Sequence, residues 1–201
     1  MSIRVLNIIG SGGHAKVVVE ALSLLKVQPK SVLVRDDSSA HVDAGFLGYQ
    51  VEVPAVADSF CGEFVHVAIG HCLTRERIYQ ATALAGGKTL TIQHPAACVS
   101  TSADISPGSF IAALSIIAPF SFIGIGTIVN HGAVVDHDCH VGSYSHVAPN
   151  STLCGGVSLG RRVLVGAGAT ILPGVQVGDD VRIGAGVVVK HDVKAGCTIR
   201  V

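Results

Sequence analysis

The chain has no tryptophan and one methionine, and over 201 residues only 4 % are aromatic and 14 % charged. Its 14 lysines and arginines are matched by 14 acidic residues, so the formal charge is zero. No basic run exists to follow a phosphate backbone, which argues against nucleic acid as a partner. Hydrophobic residues reach 49 %, yet no stretch approaches the ~20 apolar residues of a membrane span. The opening MSIRVLNIIGSGG lacks a signal-peptide layout. Six cysteines (Cys61, Cys72, Cys98, Cys139, Cys154, Cys197) form no CxxC pair. They read as reduced thiols of a cytoplasmic protein, not a disulfide frame. Low surface charge also suggests that part of the outer face is covered by other subunits.

What is present is a period. From Val99 to Val189 an aliphatic residue falls at every sixth position: Val99, Ile105, Ile111 and so on, sixteen times without a miss. A helix face repeats near 3.6 and a strand at 2, so the series predicts a β-helix. The residue after each aliphatic is often small (Gly124, Gly142, Gly160, Gly166), and glycine there is expected to permit the backbone angles of the turns. Three hexads make one triangular coil of eighteen residues, and stacked coils bury a continuous aliphatic column. The pattern resembles the parallel β-helix of the hexapeptide-repeat acyltransferases, and that resemblance implies left-handedness.

Residues 1–94 read as a separate α/β domain, and 95–201 as the β-helix domain. Strands are expected at Ile3–Ile9, Ser31–Arg35, Phe64–Ile69 and Thr89–Gln93. Helices are expected at Ala15–Lys26 and, capped by Thr74, at Arg75–Ala85. Alternating strands and helices imply a small parallel, Rossmann-like sheet, whose ligands sit beyond the carboxyl ends of the strands. Three loops lie there: Gly10–His14, Asp36-Asp37 and Gly70-His71. Gly10, Gly12 and Ala15 fit G-x-G-x-x-[GA], and Asp36 follows ~20 residues on. Glycines let a backbone approach phosphate, and helix amides stabilise the anion. The domain is too short for a six-stranded dinucleotide fold, so a different nucleotide is expected.

Polar residues crowd one stretch of the repeat: Asn130, His131, Asp136, His137, Asp138, His140 and His146. A histidine beside a carboxylate is a standard general base. Acyl transfer from a thioester needs such a base and a backbone donor for the oxyanion. Gly155 lies eighteen residues after His137, one full coil, and is expected to stack over it. The γ-class carbonic anhydrases share the hexapeptide β-helix, but their HxxxxH zinc pair is absent here, so no metal is expected. An inert scaffold would need neither Asp136-His137-Asp138 nor the glycine loop.

Nearly the whole chain resembles the sialic-acid O-acetyltransferase type of sugar O/N-acyltransferases. IIGSGGHAKVVVEAL, the RDD turn, AIGHCLTRERIYQ, HPAA and NHGAVVDHDCHVGSYSHVAPNSTLCGGVSLG carry the likeness, which is nearest to bacterial nucleotide-amino-sugar N-acetyltransferases of the bacillosamine pathway. The resemblance implies a nucleotide sugar, usually a UDP-4-amino-4,6-dideoxy sugar, on the N-terminal domain. It implies acetyl-CoA on the β-helix and a homotrimer with active sites between subunits. His137 would be the base and Asp138 its partner, although relatives often carry Glu there and Asp136 stays open. His146 and Gly155 would contact the thioester region, and Asn130 the sugar. Gly12, Gly13, His14 and Asp36 would line the nucleotide-sugar pocket. O-acetylation of a sialic acid or related sugar is the alternative. Two features depart from the pattern: the Ala195–Val201 tail lacks G-x-P-A-[KR], and His71 stands where some relatives have asparagine.

Overall fold

Residues 3–38 and 45–200 are described in a computed structural model of the chain. It divides into two units, Met1–Ile92 and Gln93–Val201. The first holds a parallel sheet of β1 (Val5–Ile9), β2 (Ser31–Arg35), β3 (Val51–Glu52), β4 (Phe64–Val67) and β5 (Lys88–Thr89). Their order is β3-β2-β1-β4-β5. Helix α1 (Gly13–Ser23) joins β1 to β2, and α2 (Cys72–Leu84) joins β4 to β5. The order reverses between β1 and β4, which opens a crevice at their carboxyl ends. β1 is central, and Leu6, Asn7, Ile8 and Ile9 are all fully buried, the continuous burial of a strand covered on both faces. Asn7 is tolerated because its amide donates to Glu63 Oε2 (2.9 Å) and accepts from Arg35 Nε (3.0 Å).

Several expected boundaries move. α1 starts at Gly13, so the glycine loop itself forms the first turn. α2 starts at Cys72, and its cap is His71, whose Nδ1 accepts the Thr74 N–H at 3.3 Å; Thr74 is inside the helix. The run Thr89–Gln93 splits into the end of β5 and a separate short strand, Ile92–Gln93. β3 was not expected, since two residues present no alternation to recognise.

The second unit is a left-handed parallel β-helix. Strands of two residues stack into three sheets, and through Val189 they pair at an offset of eighteen residues, as Ile116–Ile117 with Val134–Val135; the last, Thr198–Ile199, pairs with Arg182–Ile183. From Ile111 to Val189 the sixth-position aliphatics are all within 5 % of full burial, and they form one continuous column. Each turn has one residue in the left-handed region, at every sixth position from Gly108 to Gly186. That position lies three residues after the aliphatic, which corrects the expected role of the glycines directly after it. Those glycines are needed for close approach instead: a Cβ on Gly124 would lie 2.6 Å from Ser143 N, in the next coil.

Buried hydroxyls tie successive coils together. Ser109, Ser121, Thr127 and Ser145 each donate to the turn carbonyl fifteen residues ahead, at 2.6–3.2 Å. Cys139 occupies the same place, with Sγ 3.2 Å from Cys154 O, and burial pushes its thiol up to about 11.

Candidate functional site

The crevice of the first unit is a cleft of about 370 Å³, lined by Gly10, Gly12, Gly13, His14, Asp36 and Gly70 among others. The three loops expected to converge therefore do so. Gly10 has φ +112°, and a Cβ there would sit 3.1 Å from Ala68 O, so the turn out of β1 requires glycine. Gly12 caps α1 without a side-chain hydrogen bond, leaving that helix end's amides to other acceptors. Asp36 does more than line the cleft. Its Oδ2 accepts from Ser11 N (2.6 Å) and Ser11 Oγ (2.7 Å), and Oδ1 from Ser38 N (2.9 Å). Burial raises its pKa, but the bonds from Ser38, Ser11 and Asp37 outweigh that and hold it below the ordinary value. The carboxylate thus stays charged and pins the glycine loop.

In the β-helix, His137 occupies the turn after Val134–Val135. Its Nδ1 lies 2.8 Å from Asp138 Oδ2. With Asp138 ionised, Nδ1 carries the proton and Nε2 presents a lone pair. Asp136 takes a different part, accepting the His137 backbone N–H at 2.8 Å. The Asp138 hydrogen bond, then the Asp136 charge, hold the imidazole above its ordinary pKa against a smaller desolvation effect. Asp138 has φ +58°, a conformation Asp tolerates better than most residues. The His137 and Asp138 side chains are 61 % and 62 % exposed. Gly155 lies over the imidazole, and a Cβ on it would stand 2.6 Å from Nε2. The next residue ties the two coils, Gly156 N donating to His137 O at 2.9 Å.

Asn130 and His146 form a second pair, with Asn130 Nδ2 3.1 Å from His146 Nε2. They sit at the preceding corner, beside Ile128–Val129 and His146–Val147, and the strand Val134–Val135 separates them from His137. One chain therefore groups Asn130 with His146, and His137 with Asp138 and Gly155. His140 lies outside both groups, its ring stacked on Phe122 at 4.8 Å. Among the described residues no three His, Cys, Asp or Glu side chains gather as a metal-binding group, and no helix is long and apolar enough to cross a membrane. Sequence reasoning passed over Ser11 and the buried Arg75. The face formed by Arg75, Tyr79 and Thr82, all under 5 % exposed, was readable as an i, i+4, i+7 stripe.

A hexapeptide β-helix with an exposed His–Asp pair at one corner, in one chain with a small parallel α/β unit, defines an acyltransferase of the hexapeptide-repeat class. Comparison with known proteins narrows this. Residues 5–82 match the family model of the PglD N-terminal domain, and 156–191 match the bacterial transferase hexapeptide (six repeats) model. No curated protein sequence matches the chain. The acetyltransferase domain of PglB from Neisseria gonorrhoeae, solved with acetyl coenzyme A, is 32 % identical with a TM-score of 0.88, over 97 % of this chain and 95 % of that one. GDP-perosamine N-acetyltransferase from Caulobacter crescentus, solved as a histidine-to-alanine variant with CoA and GDP-perosamine, is 35 % identical with a TM-score of 0.83, over 97 % and 92 %. WeeI from Acinetobacter baumannii, 23 % identical with a TM-score of 0.85, over 97 % and 95 %, shares the fold. The chain belongs to the hexapeptide-repeat sugar N-acetyltransferases that carry a PglD-type N-terminal domain.

Proposed function

We propose that this protein transfers acetyl from acetyl-CoA to the 4-amino group of a nucleotide-linked 4-amino-4,6-dideoxy sugar, with UDP as the expected nucleotide. The observation that carries the reading is the His137–Asp138 pair lying against Gly155. Nε2 of His137 takes the proton from the amine as its nitrogen attacks the thioester carbonyl. Asp138 keeps the ring's tautomer and stabilises the imidazolium formed. The C–N bond forms directly, the tetrahedral adduct collapses, and the C–S bond breaks as the imidazolium returns its proton to the leaving thiolate, releasing the CoA thiol without an acyl-enzyme. Gly155, lacking a side chain, leaves room for the carbonyl beside the base. His146 and Asn130 serve the acetyl-CoA and sugar sides respectively.

The same corner continues as a groove of about 550 Å³ lined by Pro173, Gly174, Lys190 and His191. It suits an extended pantetheine, with Lys190 available for phosphate. In the α/β unit, the open end of α1 at Gly12 and Gly13 receives the diphosphate of the nucleotide sugar, with His14 and Asp36 beside it. Because the Asn130–His146 corner is separate from the His137 corner, three copies around a threefold axis complete the site between subunits. Exposed Leu114 (72 %) and Phe120 (71 %) favour burial of this surface. Acetylation at nitrogen, and not the alternative at oxygen, agrees with the Caulobacter relatives being N-acetyltransferases.

The test offers UDP- and GDP-linked 4-amino sugars with acetyl-CoA and reads product mass. His137→Ala is expected to bind both substrates and lose turnover. A wild-type protein that acetylates none of the sugars, or a His137→Ala variant at full rate, overturns the proposal. Light scattering that shows a monomer at micromolar concentration overturns the trimer.

A further inference from the structure

The chain leaves β4 at Ala68, whose N–H donates to Ile9 O at 2.8 Å. The next two residues, Ile69 and Gly70, line the nucleotide cleft. Their carbonyls turn instead to one side chain: Arg75 Nη1 donates to both Ile69 O and Gly70 O, each at 2.8 Å. Arg75 is 1 % exposed, and it is not part of the cleft lining. One turn further along α2, the Tyr79 hydroxyl accepts the Val67 N–H at 3.1 Å. A single helix face therefore grips the exit of β4 at Val67, Ile69 and Gly70. Burying a guanidinium is costly, and the two N–H bonds of one nitrogen, Nη1, fixed in the guanidinium plane, are what orient the two carbonyls. A lysine retains the charge and loses that geometry.

We propose that Arg75 is a positioning residue for nucleotide-sugar recognition, setting the direction of the Ile69–Gly70 wall from behind. It acts on the affinity for the nucleotide part and leaves the transfer chemistry at His137 untouched. This rests on the reading of the cleft as the nucleotide-sugar site.

The experiment uses the full chain with Arg75→Lys, and Tyr79→Phe as a control for general loosening of the same helix face. Arg75→Lys is expected to raise KM for the nucleotide sugar about tenfold, the scale of one misplaced charge-assisted hydrogen bond. KM for acetyl-CoA and kcat stay within about twofold of wild type. Tyr79→Phe lowers the melting temperature and leaves both KM values in place. The proposal is overturned if folded Arg75→Lys keeps its sugar KM while wild type turns over, or if both KM values shift together. It also fails if Tyr79→Phe reproduces the sugar effect, or if neither Arg75→Lys nor Arg75→Gln folds, which assigns Arg75 to stability alone. A wild-type protein that acetylates no nucleotide amino sugar removes the reading of the cleft itself, and this proposal with it.

Discussion

Gly155→Ala tests whether the imidazole acts from where the fold holds it. A Cβ built on Gly155 would stand 2.6 Å from both Cε1 and Nε2 of His137, and 3.3 Å from Cδ2. Carbon contacts are comfortable at ~3.5 Å and beyond, so the ring must retreat by roughly 1 Å. Gly155 is not in the left-handed region, so alanine suits its backbone. The ring is more than half exposed and has space to swing into. That swing breaks the 2.8 Å bond from Nδ1 to Asp138. The coil stays folded while the base leaves its place. A misplacement of ~1 Å at a reacting group costs about 100-fold, and complete loss of a general base ~10²- to 10⁴-fold. The expected outcome is a kcat at least ~100-fold down, with the melting temperature close to wild type. Chromatographic measurement of CoA release supplies kcat, and a thermal melt supplies the second reading. In a His137→Ala background the substitution should cost almost nothing more, because both changes remove one function. A folded Gly155→Ala enzyme with wild-type kcat would refute the assignment of Nε2 as the base at this position.

Asp138→Asn is expected to move the acid limb of kcat/KM. The base works unprotonated, so activity falls as pH drops through its pKa, which Asp138 and Asp136 hold above the ordinary 6.5. With the carboxylate gone the limb shifts toward lower pH and kcat decreases; an unmoved limb on the same sugar contradicts the pairing. Gly124→Ala and Gly168→Ala separate the two glycine roles. The first meets backbone at 2.6 Å while the second has open space at φ +66°, so Gly168→Ala should cost only ~1–2 kcal/mol and Gly124→Ala distinctly more in denaturant melts. Equal costs would contradict the packing argument. Asp36→Asn should lower the melting temperature and raise KM for the nucleotide sugar, since it loosens Ser11. Its folded pKa is depressed, so the stabilisation is complete above the ordinary 3.8 and is lost as pH falls through the folded value. A stability deficit that disappears well above that pH would point to another cause.

The β-helix was legible because its energetics repeat. The same interior site recurs at every hexad, so a weak preference for Val or Ile becomes a sixteen-fold signal between Val99 and Val189. The stacking of Gly155 on His137 follows from the same regularity, since the eighteen-residue register runs unbroken through both neighbours, Val135 with Leu153 and Val141 with Leu159. What escaped was set by single contacts. β3 is two residues long and exists through its pairing with Val34 and Arg35. The start of α2 depends on a ring nitrogen of His71, a residue outside the usual capping set. The role of the glycines was misread because spacing shows that a small residue is needed without showing whether an angle or a neighbour requires it.

Periodicity also exposes the exceptions. The left-handed position recurs at every turn, and Gly108, Gly126, Gly132, Gly156, Gly168, Gly174 and Gly186 fill it without strain. Leu114, Phe120 and Tyr144 occupy it as well, each at φ +60°, where bulky side chains are disfavoured. Phe120 lies one coil from Asp138, whose N–H donates to Pro119 O at 3.1 Å. The strained, exposed apolar side chain and the proposed catalytic carboxylate are thus stacked in one column. On the proposed function a side chain must project from this corner at both positions, as a surface for a second copy at Phe120 and as the partner of the base at Asp138. Departure from glycine is not confined to this corner: Asn150, Arg162 and Asp180 hold the same left-handed position elsewhere in the repeat, and Arg162 and Asp180 use it to pair across one coil at 2.6 Å.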